Sequence, residues 1–432
     1  MKIETIKSVV IDDEYVKAVH SSGLNIYIYP KKGFSSTYAI FGTNYGSINT
    51  KFKTGGSDDI IVSPDGIAHY LEHKMFESED GDAFFKYAKT GASANAYTSF
   101  DKTCYLFSCS ENFYESLKIL MDLVQTAYFT EQTVQKEQGI IAQEIKMYED
   151  EPEWRVMFNL LGALYHNHPV RVDIAGTVES IAQITDKKLY QCYNSFYNLS
   201  NMAICIVGDV DVNKTLNFIE ENLKDERKVD TETIFPNEPE TVFKDRVEQH
   251  FEISAPIFQL GFKEKVGKSR LSTKDIALTD ILLECMASKI SPLYKDLLKK
   301  ELINTSSFSY EYFEGPGYAS IIFAGESKDP DLAAKLIREE AVRIHKEGID
   351  KEIFEIAKKA VYGKTIAALN KTGDIANDLI SFHFSSRELF KYIDEIVDAK
   401  LEDVLKRLES ELIAENSSLS VVSPIKGSDE EK

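Results

Sequence analysis

The sequence predicts an α+β protein built from two tandem, homologous domains joined by a charged linker. Three observations lead there. The chain has 432 residues, 43% of them hydrophobic, which is long for one core and suits two domains of about 200 residues. Short β-branched and aromatic runs alternate with amphipathic helical stretches in both halves. Each half also closes the same way: a Leu-rich helix, then Asn198-Leu199-Ser200 or Asn416-Ser417-Ser418, then an apolar strand. The closing strands lie about 216 positions apart, half the chain, as a tandem duplication requires.

Taken in order, strands are expected at Leu24–Pro30, Ser36–Ser47, Lys102–Cys109 and Asn201–Val210. A helix at Glu111–Phe129 sets Phe113, Leu117, Leu120, Val124 and Phe129 at helical spacing. The second half repeats the order with strand Glu252–Phe262, helix Thr273–Ala287, short helix Ser291–Glu301 and hairpin Ser306–Gly325, which turns at Gly315-Pro316-Gly317. Long helices then lead to a final strand near Leu419–Val422. Lys224–Gln249 is charged and carries Pro236 and Pro239, a linker by composition. The expected domains are 1–223 and 250–432, with linker 224–249 and a frayed tail at Ser428–Lys432.

His69-Tyr70-Leu71-Glu72-His73 reads H-x-x-E-H inside one of these helical stretches. Ser63 and Pro64 offer an N-cap and first helical position, and Ile67, Ala68, Leu71 and Met75 follow at helical spacing. Residues four apart share a helix face, so His69 and His73 can aim at one ion. Glu72 lies next to that face, where it can hold a water without being a ligand. Two His and a neighbouring carboxylate begin a hydrolytic zinc site, which still needs a third protein ligand.

A second helix offers one. It opens at Thr130 and breaks at Glu151-Pro152, and Glu137, Ile141, Glu144 and Tyr148 share one stripe. Such acids are either a solvated face or, if the stripe faces inward, groups in need of a cation, because buried unpaired charge is very costly.

The motif, followed about seventy residues later by an acidic helix, resembles the inverzincins, the family of pitrilysin, insulinase and mitochondrial processing peptidase. Gly66–His73 is similar to the family's motif helix, Glu137–Glu144 to its distal ligand helix, and Gly91–Ser99 with Thr103 and Tyr105 to its substrate-binding edge strand. His168-Pro169, Gly176 and Val207-Gly208-Asp209 resemble the close of the catalytic domain. The resemblance implies domains that are each a mostly antiparallel sheet with helices packed on one face, together enclosing a chamber for unfolded peptides. It implies one zinc per chain on His69, His73 and Glu144, with Glu72 as general base and Glu137 supporting a ligand. It also implies that Ala94, Asn95, Ala96, Tyr97 and Thr98 bind extended peptide as an added β-strand.

The second half has Glu284-Cys285-Met286-Ala287-Ser288 where the repeat would put the motif, so only the first half is expected to hold zinc. Family members complete in themselves carry an Arg and a Tyr, seven apart, in the zinc-less half. Leu298 and Thr305 stand at those positions here, with Tyr310 and Tyr312 nearby and no Arg beside them. The chain therefore most resembles the zinc-bearing partner of bacterial two-chain members, including the group associated with elongation factor P modification. The expected function is a zinc endopeptidase paired with a zinc-less relative. The alternatives are a self-sufficient monomeric or homodimeric peptidase and a non-catalytic structural member.

Composition narrows the rest. A net charge of −20 argues against nucleic acid and against an anionic membrane. No run of eighteen apolar residues is present. The start has no apolar stretch after its basic residue, so no signal peptide is expected. The five cysteines, Cys104, Cys109, Cys192, Cys205 and Cys285, read as reduced core thiols of a cytoplasmic protein.

Overall fold

A computed structural model of the chain describes residues 1–224, 228–265 and 270–425. The tail at Ser428–Lys432 lies outside the described residues. The chain forms two compact units. The first comprises Met1–Ile145, Asp173–Phe235 and Ile366–Lys391, and the second Lys146–Val172, Pro236–Thr365 and Tyr392–Lys432.

The first unit is organised on a seven-stranded sheet. Its spatial order is Lys2–Ser8, Asp13–Val19, Asn25–Pro30, Met202–Gly208, Thr37–Thr43, Thr103–Cys109 and Ser93–Thr98. Every residue of Met202–Gly208 is buried, as expected of an apolar run covered on both faces. It pairs parallel with Asn25–Pro30 and antiparallel with Thr37–Thr43. On one face, Phe107 meets Tyr87 and Phe113 of the helices Ala83–Thr90 and Phe113–Gln125. The other face takes helix Thr372–Phe384, which approaches at Gly42: a Cβ there would come within 2.9 Å of Phe384 and of Cys104 Sγ.

The second unit repeats the plan with five strands in the order Arg246–Phe251, Ser417–Pro424, Ile257–Lys263, Tyr318–Glu326 and Ser309–Gly315. Ser417–Pro424 again pairs parallel on one side and antiparallel on the other. Helices Thr273–Ala287, Pro292–Lys299 and Pro330–Glu347 contribute Leu282, Leu297 and Ile337 to its core. Helix Pro152–Leu164 packs at Gly261, where a Cβ would lie 2.8 Å from Leu164. Gly42 and Gly261 occupy matching places, each on the strand that pairs antiparallel with the closing strand of its repeat, Met202–Gly208 or Ser417–Pro424. Each clears room for a helix that comes from the other half of the chain. The expected ranges 1–223 and 250–432 contain no such exchange.

Several boundaries differ from expectation. The motif helix begins at Ile67 rather than at Ser63-Pro64, because Gly66 turns the chain at φ 86° and is the N-cap. A Cβ at Gly66 would lie 2.3 Å from the Ala175 carbonyl oxygen, so the turn needs glycine. The strand expected at Glu252–Phe262 starts only at Ile257 and runs to Lys263; a bend precedes it, and before the bend lies a separate strand, Arg246–Phe251. The charged stretch 224–249 holds Thr231–Thr233, which pairs with Lys51–Thr54, and most of Arg246–Phe251. Lys2–Ser8 and Asp13–Val19 are strands that hydrophobic alternation did not mark, since six of the seven residues of Lys2–Ser8 are exposed or half-buried. All five cysteines are buried and free of disulfides. Among the described residues, no helix is long and apolar enough to cross a membrane.

Candidate metal centre

The motif helix, Ile67–Met75, buries Ile67, Ala68, His69, Tyr70, Leu71, Lys74 and Met75. Tyr70 donates its hydroxyl hydrogen bond to the Val134 carbonyl of helix Glu131–Glu149, which ties the two helices together. On that second helix Val134, Glu137, Ile141 and Ile145 are buried, so the acidic stripe faces inward. Two carboxylates in such a place require cationic or hydrogen-bonding partners.

The helices bring His69, His73 and Glu144 together. One ligand atom from each lies within 4.8 Å of the others, the one such His/Cys/Asp/Glu group among the described residues. Glu144 Oε1 is 3.7 Å from His69 Nε2, and Glu144 Oε2 is 3.4 Å from His73 Nε2. Two ligands held about 2.1 Å from one ion at tetrahedral angles stand roughly 3.4 Å apart, so the donor set fits zinc in type and in spacing.

The protonation pattern suits the same use. Burial, with help from the His73 charge, lowers the His69 pKa to about 4, so its imidazole is neutral near pH 7. His73 feels burial downward, but its hydrogen bond to Glu137 and the charges of Glu72, Glu144 and Glu137 raise it. Glu137 Oε1 is 3.0 Å from His73 Nδ1. A carboxylate only accepts, so Nδ1 carries the proton and the Nε2 lone pair is directed toward Glu144. That contact, more than burial, sets the lowered pKa of Glu137. His69 has no matching support: its Nδ1 is buried with no hydrogen-bond partner.

Glu72 sits between the histidines and the edge strand Ser93–Thr98. Burial raises its pKa against the opposing pull of His73 and Thr98. Thr98 Oγ1 donates to Glu72 Oε2 at 2.9 Å. Among the described residues the strand pairs only with Thr103–Cys109, which leaves its other edge open. Alternation then divides the five expected peptide-binding residues. Ala94, Ala96 and Thr98 share the face toward the motif helix. Asn95 and Tyr97 share the other, where Tyr97 donates to Asn377 Oδ1 at 3.1 Å. Asn377 in turn donates to the Tyr38 hydroxyl and the Gly373 carbonyl. No sequence signal points to Asn377, since it arrives on a helix about 280 residues after the strand it anchors.

Two family models match the chain. Residues 57–178 match "Insulinase (Peptidase family M16)". Residues 183–361 match "Peptidase M16 inactive domain". The uncharacterized zinc protease YmfH of Bacillus subtilis (strain 168) is 40% identical over 413 residues, 94% of this chain and 95% of the relative. The zinc protease PqqE of Helicobacter pylori is 25% identical over 396 residues, 87% of this chain and 86% of that one. A crystal structure of an M16-like peptidase from Alicyclobacillus acidocaldarius superposes with a TM-score of 0.91 at 34% identity, over 98% of this chain and 99% of that chain.

Proposed function

Because this chain belongs to the M16 (insulinase) peptidase family, we propose that it is a zinc-dependent endopeptidase acting on extended peptides, as the zinc-bearing subunit of a heterodimer. The observation that carries this reading is the convergence of His69, His73 and Glu144, with Glu72 beside them. His69, His73 and Glu144 would hold the ion. When bound, zinc supplies Lewis acidity that polarises a carbonyl and makes water a competent nucleophile near neutral pH.

The remaining work falls to the chain. Glu72 takes the proton of the attacking water and passes it to the leaving amine, a role its half-buried carboxylate can fill in both directions. Glu137 orients His73 through Nδ1. The open edge of Ser93–Thr98 receives peptide backbone, so selection falls on extension rather than on side-chain identity. A net charge of −20 favours basic peptides.

The need for a partner rests on the second half. Leu298 and Thr305 offer neither guanidinium nor phenol, and both are exposed. The nearby phenols are already engaged: Tyr310 donates to Glu284 at 2.8 Å and Tyr312 to Glu264 at 2.6 Å. A zinc-less relative carrying the Arg and Tyr would supply the transition-state donors, worth about 3 kcal/mol for one donor. Five buried thiols favour a reducing, cytoplasmic setting. The experiment measures bound zinc and hydrolysis of an unstructured basic peptide, with and without such a relative. We expect one zinc per chain, feeble turnover alone and restoration by the relative. Glu72→Gln should keep zinc and abolish the restored turnover. Full activity from a verified monomer or homodimer would replace the heterodimer by the self-sufficient reading.

A further inference from the structure

A general base works only if one of its oxygens is held at the proton it must take. Glutamate has three side-chain torsions, so the position of Glu72 on its helix does not by itself aim the carboxylate. The aim comes from the edge strand. Thr98 closes that strand, and its Oγ1 donates to Glu72 Oε2 at 2.9 Å. A threonine hydroxyl has one proton, so this bond commits it. The neighbouring Thr103 gives its own proton to the Tyr45 carbonyl at 2.8 Å, and its contact with Thr98, at 3.4 Å, is too long to draw the Thr98 proton away from Glu72. With Oε2 engaged, Oε1 has no protein partner among the described residues and is the oxygen left for water.

We propose that Thr98 is a positioning residue that couples peptide addition on the edge strand to the aim of Glu72. The proposal rests on the reading of Glu72 as general base. The coupling has a direct physical route. Peptide that adds to this edge hydrogen-bonds to the backbone of Ser93–Thr98 and holds it in place. The last residue of that same strand holds the base. The opposite face of the strand is pinned independently, by Tyr97 on Asn377, so movement of Thr98 is constrained from both sides. Extended peptides that fill the edge should therefore raise turnover as well as occupancy, whereas short ones should not.

The test compares Thr98→Val, which removes the hydroxyl and keeps the branched shape, with Thr98→Ser, which keeps the donor. Bound zinc, kcat and KM are measured on the active assembly, and crystal structures of the metal-free variants report the Glu72 rotamer. We expect unchanged zinc and KM for Thr98→Val, with kcat lower by about tenfold, the effect of one hydrogen bond to a charged group. Thr98→Ser should return kcat to within about twofold of the parent. Glu72 should keep one rotamer in the parent and Thr98→Ser and leave it in Thr98→Val. Parental kcat with an unmoved Glu72 in Thr98→Val overturns the proposal, as does a Thr98→Ser as impaired as Thr98→Val. Glu72→Gln is assayed alongside. If it stays active, the general-base reading fails, and the Glu72 rotamer in Thr98→Val alone decides whether Thr98 holds it.

Discussion

At the scale of single residues, Glu137 and Glu144 show how two like groups on one helix acquire different work. They lie seven apart on one inward stripe, yet only Glu144 reaches both Nε2 atoms. Glu137 reaches the far side of the His73 ring. Substituting each with Gln should separate the two. Glu144→Gln should abolish stoichiometric zinc, because a site with two ligands falls below the three that protein zinc sites use. Glu137→Gln should retain zinc with affinity weaker by about 10- to 100-fold, the usual effect of losing a ligand's hydrogen-bond partner. Competition with a chelator, read by metal analysis, distinguishes them, and a Glu144→Gln that keeps full zinc would remove it from the ligand set. Helical period puts His69 and His73 on one face and Glu137 and Glu144 on one stripe of a second helix, so those two pairs were readable in the sequence, whereas the choice of Glu144 as the third ligand came from the family resemblance. The partners of Glu72 and Tyr97 were not readable, because Thr98 and Asn377 become neighbours only when the sheet forms.

At the scale of elements, the motif helix and the edge strand each depend on one backbone feature. The helix starts where Gly66 turns with φ 86° against Ala175. Gly66→Ala would place a methyl in the left-handed region and within 2.3 Å of a carbonyl oxygen. Loss of about 2 kcal/mol or more is expected from strain and clash together, seen as a lower denaturation midpoint with matching loss of zinc affinity. A neutral outcome would show that the turn relaxes. The edge strand depends on its free backbone groups. Ala96→Pro removes an N–H that donates to Asn95 Oδ1 at 2.9 Å. It should weaken binding of an extended peptide to the zinc-loaded chain while leaving zinc stoichiometry intact. Undiminished peptide binding, measured by fluorescence anisotropy, would move the substrate away from this edge. Helices with both a cap signal and a period were legible: Thr273–Ala287 begins at Ser272, whose capping box with Asp275 marks the start. The strand Lys2–Ser8 was not, since a strand exposed on both faces shows no alternation to read.

At the scale of the whole molecule, two histidines outside the metal centre, the buried His168 and the half-buried His383, link stability to pH. His168 Nε2 is 2.9 Å from the Pro316 carbonyl, and its Nδ1 accepts from Val170 N–H at 3.1 Å. Those roles require the neutral ring, and burial holds its pKa down at about 4. Burial lowers His383 to about 4 as well. Both folded values lie below the unfolded value of roughly 6.5. The stabilisation is therefore complete above pH ~6.5 and is lost as pH falls toward about 4, because the unfolded chain binds the extra protons in that window. At pH 5 the loss should be on the order of 2 kcal/mol per histidine. Urea unfolding of the metal-free chain at pH 7.5 and pH 5 reads it, and His168→Gln should shrink the pH-dependent difference. An equal difference in parent and variant would clear His168 of the effect.

By itself the sequence marked the two-fold repeat, a histidine pair and an acidic stripe able to contribute to a metal site, and the half in which they lie. These follow from periodicity, spacing and side-chain chemistry, all of which are local. Only the tertiary structure decided which acid faces both histidines, which hydroxyl holds Glu72, and which helix covers each sheet. The exchanged helices Pro152–Leu164 and Thr372–Phe384 are the clearest case. Each is an ordinary amphipathic segment whose pattern says that it buries a face but not against what. The answer lies in Gly42 and Gly261, two positions where a missing Cβ lets a helix from far along the chain reach the sheet. A central strand that is apolar on both faces demands such a cover, and close packing fixes which segment supplies it.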